Sequence, residues 1–323
     1  MLLQRKKINT TTSSLRCFNY RTFAKKTFLN NSVINWLLFI ILSFIWGSSF
    51  ILMKEGLIAL TAFQVASLRV ISSGMVLLPI AIRHFRAVPR NKLGLIFLSG
   101  VLGSLLPAYL FCIAEVHIDS ALAGTLNALT PVFVIIMGAL FFRSKTSFYK
   151  IVGIAVSLMG SVLLFFAQPG FRENSNITDV LLVVIATMMY GINVNMVGKF
   201  LRDTPSLHIA SLALSLNAIP ALIVLWFTGY FSEDIFSRSM LIATGFTFIL
   251  GIMGTALASV LFYMLIKRAG MVFSSMVTYA IPIVAVMWGI FYGEEIGWKQ
   301  VIFLMIILSG VYVANRTTKI PAN

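Results

Sequence analysis

A single arginine, Arg69, stands inside an otherwise apolar stretch of this 323-residue sequence and has the clearest capacity for binding chemistry. A guanidinium group binds a planar carboxylate through two parallel hydrogen bonds. An arginine at the centre of a membrane-spanning helix costs about 2.5 to 3.5 kcal/mol, so a compensating role is expected. Two interpretations are equally open: Arg69 binds an anionic substrate group from a water-filled cavity, or it reaches toward the outer membrane surface or caps neighbouring carbonyl groups.

Two apolar runs share a second feature, a polar residue followed four positions later by a proline. Asn127 precedes Pro131 in one run, and Thr278 precedes Pro282 in another. Because proline lacks a backbone N–H group, it leaves a carbonyl group one turn earlier without its helical partner. Both pairs therefore predict an interrupted helix at a substrate site near the middle of the membrane. The alternative is a packing kink that a neighbouring helix satisfies.

Aromatic and amide side chains complete the predicted substrate site. Rings that carry one polar atom suit a cavity for amino acids or aromatic compounds. Tyrosine and tryptophan also concentrate at membrane interfaces, so an interfacial or lipid-facing position is equally open for each ring. The residues assigned to the site on these grounds are Trp46, Tyr109, Tyr190, Asn193, Tyr263 and Tyr279.

Residue sets for catalysis, nucleotide hydrolysis or metal binding are not evident in the sequence. Neither a phosphate-binding G-x-x-x-x-G-K-[ST] loop nor an H-E-x-x-H helix occurs. Cys17 and Cys112 have no spacing typical of a disulfide framework or a metal site. An enzyme and an ATP-driven pump are therefore disfavoured, and no catalytic residue, cofactor or metal is expected.

The acidic residues bear on how transport could be driven. Proton coupling usually uses a carboxylate within the membrane. The candidates all map to the ends of apolar runs, which favours exchange or facilitated efflux over proton antiport; they are Glu55, Glu115, Asp119, Glu294 and Glu295.

The elements that must position these residues are apolar helices. With 59% hydrophobic residues, 11% charged residues and a mean hydropathy of +0.94, the chain falls well below the roughly 25% charged residues of a soluble domain. Its apolar runs are continuous and lack the alternation of barrel strands. The sequence predicts an all-α integral membrane protein with ten transmembrane helices. The runs cover 34–53, 63–82, 93–114, 120–142, 151–168, 180–198, 207–231, 239–266, 271–293 and 300–315.

The distribution of basic residues predicts the topology. If the N-terminus is cytoplasmic, 20 Lys and Arg residues fall on the cytoplasmic side and 4 fall outside, while Asp203 is the single internal acid. The net charge of +15 is therefore a topology signal and not a nucleic-acid footprint. We expect a multi-pass protein of the cell (inner) membrane, in contact with the lipid bilayer, with both termini cytoplasmic. Residues 1–33 are predicted to be a disordered basic tail, although an organellar transit peptide has the same composition.

An internal repeat divides the chain in two. A shift of 151 residues places YLFCIAEVHIDSALAGTLNALTP beside VLFYMLIKRAGMVFSSMVTYAIP. One residue out of this register, the basic FFRSKTS at 141–147 falls opposite the acidic FYGEEIG at 291–297. Equivalent loops of opposite charge are what an inverted repeat requires. The predicted organisation is a first five-helix repeat at 34–168, a second at 178–315 and a short cytoplasmic tail at 316–323. Inverted repeats are typical of secondary carriers.

Several segments in order resemble the EamA-type transporters of the drug/metabolite transporter superfamily. They are WGSSFILMKEG at 46–56, Arg69, Pro131, Gly153, Gly160, Pro282 and GEEIGWKQVIFLMIILSG at 293–310. The resemblance covers about residues 34–315 and implies a ten-helix carrier of metabolites, amino acids or drugs, most often an exporter. The chain departs from the pattern at FRS (142–144), where a Gly-Glu pair is common, and at Tyr190 and Gly191, which replace the Trp46 and Gly47 of the first half.

These observations together predict a secondary transporter that exports small metabolites by alternating access. Its expected partners are a small-molecule substrate and lipid, without nucleic acid, and the chain acts as a monomer or a homodimer. A channel and an organellar metabolite carrier of the same superfamily are the alternatives.

Overall fold

A computed structural model describes residues 12–118, 120–166, 177–291 and 297–314, and all regular elements in these ranges are helices. Seven helices of 21 to 32 residues are long and apolar enough to cross a membrane, and three shorter apolar helices accompany them. The chain is therefore an all-α integral membrane protein. Asp119, the two acids at 294–295, the tail at 316–323 and the first eleven residues lie outside the described residues.

The first part of the chain forms five helical elements. The apolar part of α1 (Thr12–Leu57) is Ser32–Leu57, so the helix also includes positions predicted to be a disordered tail. A capping box begins α2, because Thr61 accepts a hydrogen bond from the Gln64 N–H group and Gln64 accepts one from the Thr61 N–H group. The remaining elements are α2 (Ala62–His84), α3 (Arg90–Ala114), α4 in two segments (Ser120–Asn127 and Thr130–Phe142) and α5 (Phe148–Phe166).

The second part of the chain, from residue 177 onward, also contains five helical elements among the described residues. A short segment again interrupts its fourth element, since the chain turns at Met276 before it continues as a helix. The elements are α6 (Ile177–Phe200), α7 (Ser206–Phe227), α8 (Arg238–Ala269), α9 in two segments (Met271–Ser275 and Val277–Phe291) and α10 (Trp298–Ala314).

Each part contains an interrupted helix near the proline at which the sequence predicted an interruption. In α4 the break lies between Asn127 and Thr130, and Pro131 occupies the first turn of the second segment, where a missing N–H group costs little. In α9 the break lies between Ser275 and Val277, and Pro282 is inside the helix that follows. The two breaks are therefore similar in place but not identical in construction.

A second irregularity also occurs once in each part. The backbone of α3 widens into a π-helix at Val101–Leu105, and that of α8 does so at Leu250–Leu257. The 151-residue shift places 101–105 on 252–256, inside the second π-helix. Such segments insert extra residues into a helix and often mark functional sites. In this chain they bring polar atoms toward the centre of the helix assembly, where the candidate site lies.

Candidate functional site

A central cavity lies between helices of both parts of the chain. About 100 Å³ of its space admits the centre of a water molecule. Its walls come from α1, α2, α3, α4, α6, α8 and α9. Seven of the nine predicted substrate-site residues line it, namely Trp46, Arg69, Asn127, Tyr190, Asn193, Tyr263 and Thr278.

The other two predicted site residues lie outside the cavity lining and make hydrogen bonds in the helix packing. The Tyr109 hydroxyl is 2.8 Å from the Ser67 hydroxyl and joins α3 to α2. Tyr279 is fully buried and donates a hydrogen bond of 3.1 Å to the Ile154 carbonyl, which joins α9 to α5. Pro131 and Pro282 do not line the cavity either; they lie near the breaks that bring Asn127 and Thr278 to it.

Arg69 is the charged residue of the cavity lining. Its Nε atom donates a hydrogen bond of 2.8 Å to the Thr255 hydroxyl, from the π-helix of α8. Within the described ranges this is its only hydrogen bond. The two terminal nitrogens thus keep their capacity for donation, in the forked geometry that a carboxylate matches.

The same π-helix of α8 also orients the indole ring of Trp46. Trp46 Nε1 donates a hydrogen bond of 3.1 Å to the Gly254 carbonyl, and the indole packs edge-on against Phe262 with 5.0 Å between ring centroids. Gly254 and Thr255 are consecutive residues. One irregular segment of α8 therefore orients both the arginine and the tryptophan of the cavity.

A polar network forms another wall. The Ser99 hydroxyl donates a hydrogen bond of 2.8 Å to Asn193 Oδ1 and lies 3.1 Å from the Tyr263 hydroxyl. All three side chains are buried. The absence of a side chain at Gly103 permits this arrangement, because a Cβ atom there would lie 2.2 Å from Asn193 Nδ2. The network joins α3, α6 and α8 and keeps Asn193 and Tyr263 fixed at the cavity surface.

Aromatic rings from α1, α3 and α6 form a further wall, the aromatic wall. Phe111 stacks with Tyr190 at a centroid distance of 6.1 Å and meets Phe50 edge-on at 6.3 Å. All three rings line the cavity. The cavity is therefore amphipathic, with one guanidinium group and several hydroxyl and amide groups facing apolar rings, a combination suited to a small molecule that carries a charged end and an apolar body.

Polar residues of the lining that the sequence did not reveal are mostly hydroxyl side chains. The Ser104 hydroxyl is buried at the cavity and has no hydrogen-bond partner in the part of the chain that the structure describes. Thr130 donates a hydrogen bond of 3.1 Å to Asn127 Oδ1. Single hydroxyl groups are common in apolar helices, so nothing in the sequence distinguishes Ser104, Thr130 or Thr255 from residues that bond their own backbone.

Glu115 lies just beyond the last residue of α3 and is buried, with 2% of its surface exposed. Burial raises the pKa of this carboxyl group to about 8, although the charges of Lys54 and Arg69 and a contact from the Ser120 hydroxyl act in the opposite direction. Its Oε1 atom has no hydrogen-bond partner among the described residues. The sequence placed Glu115 correctly at a helix end but did not indicate its burial.

We expect the stability of the protein to fall with rising pH through Glu115. A folded-state pKa raised from 4.5 to about 8 means that the folded state holds this proton more tightly than the unfolded state. Stability contributed by the neutral form is therefore lost as the pH rises through this window. Between pH 6 and pH 9, the melting temperature of the Glu115→Gln variant should decrease less than that of the wild type.

The matched control for this measurement is Glu55→Gln, at the partly exposed end of α1. It should reproduce the wild-type pH dependence of the melting temperature. If the melting temperatures of the wild type and Glu115→Gln depended on pH in the same way, Glu115 would not be the source of the loss of stability.

The chain matches the EamA-like transporter family over residues 34–166 and again over 177–316. An uncharacterized transporter of Archaeoglobus fulgidus is 25% identical over 285 residues, which are 87% of this chain and 98% of the relative. A probable terminal-alkyne amino-acid exporter of Streptantibioticus cattleyicolor is 25% identical over 288 residues, 84% and 90% of the two chains. The uncharacterized inner membrane transporter YedA of Escherichia coli K12 is 24% identical over 257 residues, 78% and 80%.

A solved crystal structure of a protein shares the fold, with a TM-score of 0.66 at 16% identity over 88% of this chain and 95% of that chain. The two family matches together span most of the described helices. The three relatives above are named as transporters or exporters, which agrees with the apolar helices of this chain and indicates a transporter and not an enzyme. The chain is a membrane transporter and belongs to the EamA-like transporter family.

Proposed function

We propose that this protein is a secondary exporter of amino acids and related small carboxylates. The observation that carries the proposal is Arg69, whose terminal nitrogens are unbonded within the described residues and which lines a cavity shared by both parts of the chain. A substrate carboxylate would accept two hydrogen bonds from this guanidinium group. The energy of that interaction compensates the cost of keeping an arginine in the membrane.

The rest of the cavity suits the other groups of an amino acid. The buried Ser104 hydroxyl can bond a polar substituent, and the amide oxygens of Asn127 and Asn193 can accept hydrogen bonds from an ammonium group. The aromatic wall accommodates an apolar side chain. The Streptantibioticus relative is named a probable terminal-alkyne amino-acid exporter, which supports the same substrate class and direction.

The proposed mechanism is alternating access between two inverted five-helix repeats at 34–168 and 178–315. Two features support it: the π-helices correspond under the 151-residue shift, and each part contains an interrupted fourth element beside the cavity. Rocking of one repeat against the other would open this cavity to each side in turn. The driving force in this proposal is exchange or the substrate gradient.

The proposed location is the inner membrane, with both termini in the cytoplasm. The excess of basic residues in alternate connections supports this orientation. The relative from Escherichia coli is named an inner membrane transporter. In this orientation the substrate would enter from the side where the basic connections lie and leave near Glu115 and Lys54.

Counterflow in proteoliposomes tests the proposal directly. Vesicles loaded with one unlabelled amino acid at a time, from a panel that includes aromatic and aliphatic members, receive the labelled form outside. A carrier gives transient, saturable accumulation of label that depends on the internal amino acid. Conductance without saturation would instead indicate a channel, and no flux of any carboxylate in correctly folded protein would reject the proposed substrate class.

Thr255 is expected to act as a positioning residue for Arg69. Thr255→Val removes the hydrogen bond to Nε while it keeps the side-chain shape, so the guanidinium group gains freedom before it binds a substrate. A hydrogen bond to a charged group contributes about 1.5 to 3 kcal/mol, which predicts a KM raised by roughly tenfold or more. Initial counterflow rates over a range of substrate concentrations measure this change.

Two further variants separate positioning from general damage. Thr255→Ser keeps the hydroxyl group and should restore the wild-type KM. Thr247→Val, on the same helix, removes a hydroxyl that bonds its own helix at the Ala243 carbonyl and lies outside the cavity lining, so KM should not change. A raised KM in both valine variants would argue against a specific role for Thr255.

A further inference from the structure

A second cavity opens at the outer surface of the helix assembly, between α2 and α7. About 850 Å³ of its space admits the centre of a water molecule. Large apolar side chains with 45 to 69% of their surface exposed form its sides, namely Met75, Leu78, Ile82, Ile219 and Leu222. This cavity shares no lining residue with the central one, so it is a separate site.

The groove exists because small residues meet at its floor. A Cβ atom added to Gly74 would lie 2.7 Å from the Ala218 Cβ atom and 2.8 Å from the Leu214 carbonyl oxygen. The Ser215 hydroxyl donates a hydrogen bond of 3.0 Å to the Gly74 carbonyl, which satisfies the polar group at this contact. The backbones of α2 and α7 therefore approach closely, and the larger side chains on either side of this contact form the sides of the groove.

One end of the groove is positively charged. Arg83, in the last turn of α2, and Arg86, in the 3-10 turn at Phe85–Ala87 that follows, line it and are exposed. Neither forms an ion pair with a carboxylate in the described ranges, where the one salt bridge joins His117 and Asp179. An apolar groove that ends at two guanidinium groups without a carboxylate partner matches a molecule with a hydrocarbon chain and an anionic head group.

We propose that the groove between α2 and α7 binds an anionic phospholipid. One acyl chain lies along the apolar side chains over Gly74, and the phosphate accepts hydrogen bonds from Arg83 and Arg86. Because α2 belongs to the first family-matched segment and α7 to the second, the bound lipid contacts both. Lipid occupancy would therefore influence how these segments move against each other.

A second copy of the chain fits the groove less well. Two copies in one membrane are related by an axis along the membrane normal, which keeps equivalent ends on the same side. Pairing through this groove would bring the Arg83 and Arg86 groups of both copies together, and the described residues that line the groove include no carboxylate. Repulsion between like charges opposes that arrangement, whereas a phosphate group neutralises it.

Native mass spectrometry of the purified full chain tests the proposal. The protein receives phosphatidylglycerol or phosphatidylcholine with identical acyl chains, at matched concentrations, and the fraction of lipid-bound protein is measured. We expect phosphatidylglycerol to bind more tightly to the wild type by roughly tenfold, because each basic group near a membrane surface adds to anionic-lipid binding. The double variant Arg83→Gln, Arg86→Gln should lose this preference.

The control is a double variant that removes the same charge elsewhere, Lys145→Gln with Arg202→Gln. Both residues are exposed and lie outside the groove, so the lipid preference should remain. Equal binding of both lipids to the wild type would overturn the proposal, as would a preference that persists after Arg83 and Arg86 are replaced. Efficient cross-linking between copies through Met75→Cys in phosphatidylglycerol vesicles would also overturn it, because a second copy would then occupy the groove.

Discussion

Replacing Arg69 with glutamine should reduce Vmax/KM for saturable counterflow of carboxylate substrates by about 30-fold to 5,000-fold. The expected loss follows from the 2 to 5 kcal/mol that removal of one partner from a buried, hydrogen-bonded charge pair typically costs. Glutamine keeps a polar group in the cavity and abolishes the charge, so a general requirement for polarity would leave transport largely intact. Initial rates in proteoliposomes measure the effect.

Two comparisons make this result specific to carboxylate recognition. Arg69→Lys retains the charge but cannot donate both to Thr255 and, through a fork, to a carboxylate, so we expect an intermediate rate. A neutral amide analogue of the best substrate should compete equally well in the wild type and in Arg69→Gln, because it lacks the group that Arg69 binds. Unaltered carboxylate transport in a monodisperse, thermally stable Arg69→Gln protein would remove the guanidinium group from the mechanism.

Some of the predicted site residues that line the cavity can be recognised from the sequence alone. Arg69 is a charge in an apolar run, and Asn127 and Thr278 each precede a proline by one helical turn. These features are costly in a membrane and therefore require a local reason, which makes them informative one residue at a time. Trp46, Tyr190 and the other rings were supported more weakly, by their chemical suitability alone.

Tyr279 illustrates why a suitable side chain is not sufficient. It follows Thr278, and consecutive helical residues point about 100° apart, so one of them faces the cavity while the other faces α5. A membrane helix that is apolar on all sides carries no periodic signal that reveals which face is internal. The same reasoning applies to Tyr109, which lies outside the cavity lining and whose hydroxyl group is 2.8 Å from that of Ser67 on α2.

Thr255 and Glu115 depend on features that have no signature in the sequence. The π-helix at Leu250–Leu257 changes the angular spacing of side chains, so a regular helical wheel does not place Thr255 opposite Arg69. Glu115 reads as a loop residue because it lies between two apolar runs, and its burial arises only when α1, α2 and the start of α4 surround it. Apolar length, by contrast, correctly predicted an all-α membrane protein, because the length that a spanning helix needs follows directly from the thickness of a bilayer.

Alanine at Gly153 and Gly310 together should strongly destabilise the packing of α5 against α10. A Cβ atom at Gly153 would lie 2.5 Å from the Gly310 carbonyl oxygen, and one at Gly310 would lie 2.6 Å from the Gly153 carbonyl oxygen. These contacts involve backbone atoms, so no change of rotamer relieves them and α5 must move away from α10. Overpacking of this kind costs about 1 to 3 kcal/mol per site, and thermal melting in detergent should show a clear decrease.

Gly245 provides the matched control because it is also helical but a Cβ atom there would meet no atom within 4 Å. Gly245→Ala should leave the melting temperature unchanged or raise it, since alanine favours helix over glycine. Opposite effects of one substitution at two kinds of helical glycine would show that close backbone contact, and not helix propensity, holds α10 against α5. The Ser157 hydroxyl bond to the Ile307 carbonyl spans the same contact, so separation of the helices would break it as well. If the Gly153→Ala, Gly310→Ala double variant had the same melting temperature as the wild type, the contact between α5 and α10 would contribute little to the stability of the fold.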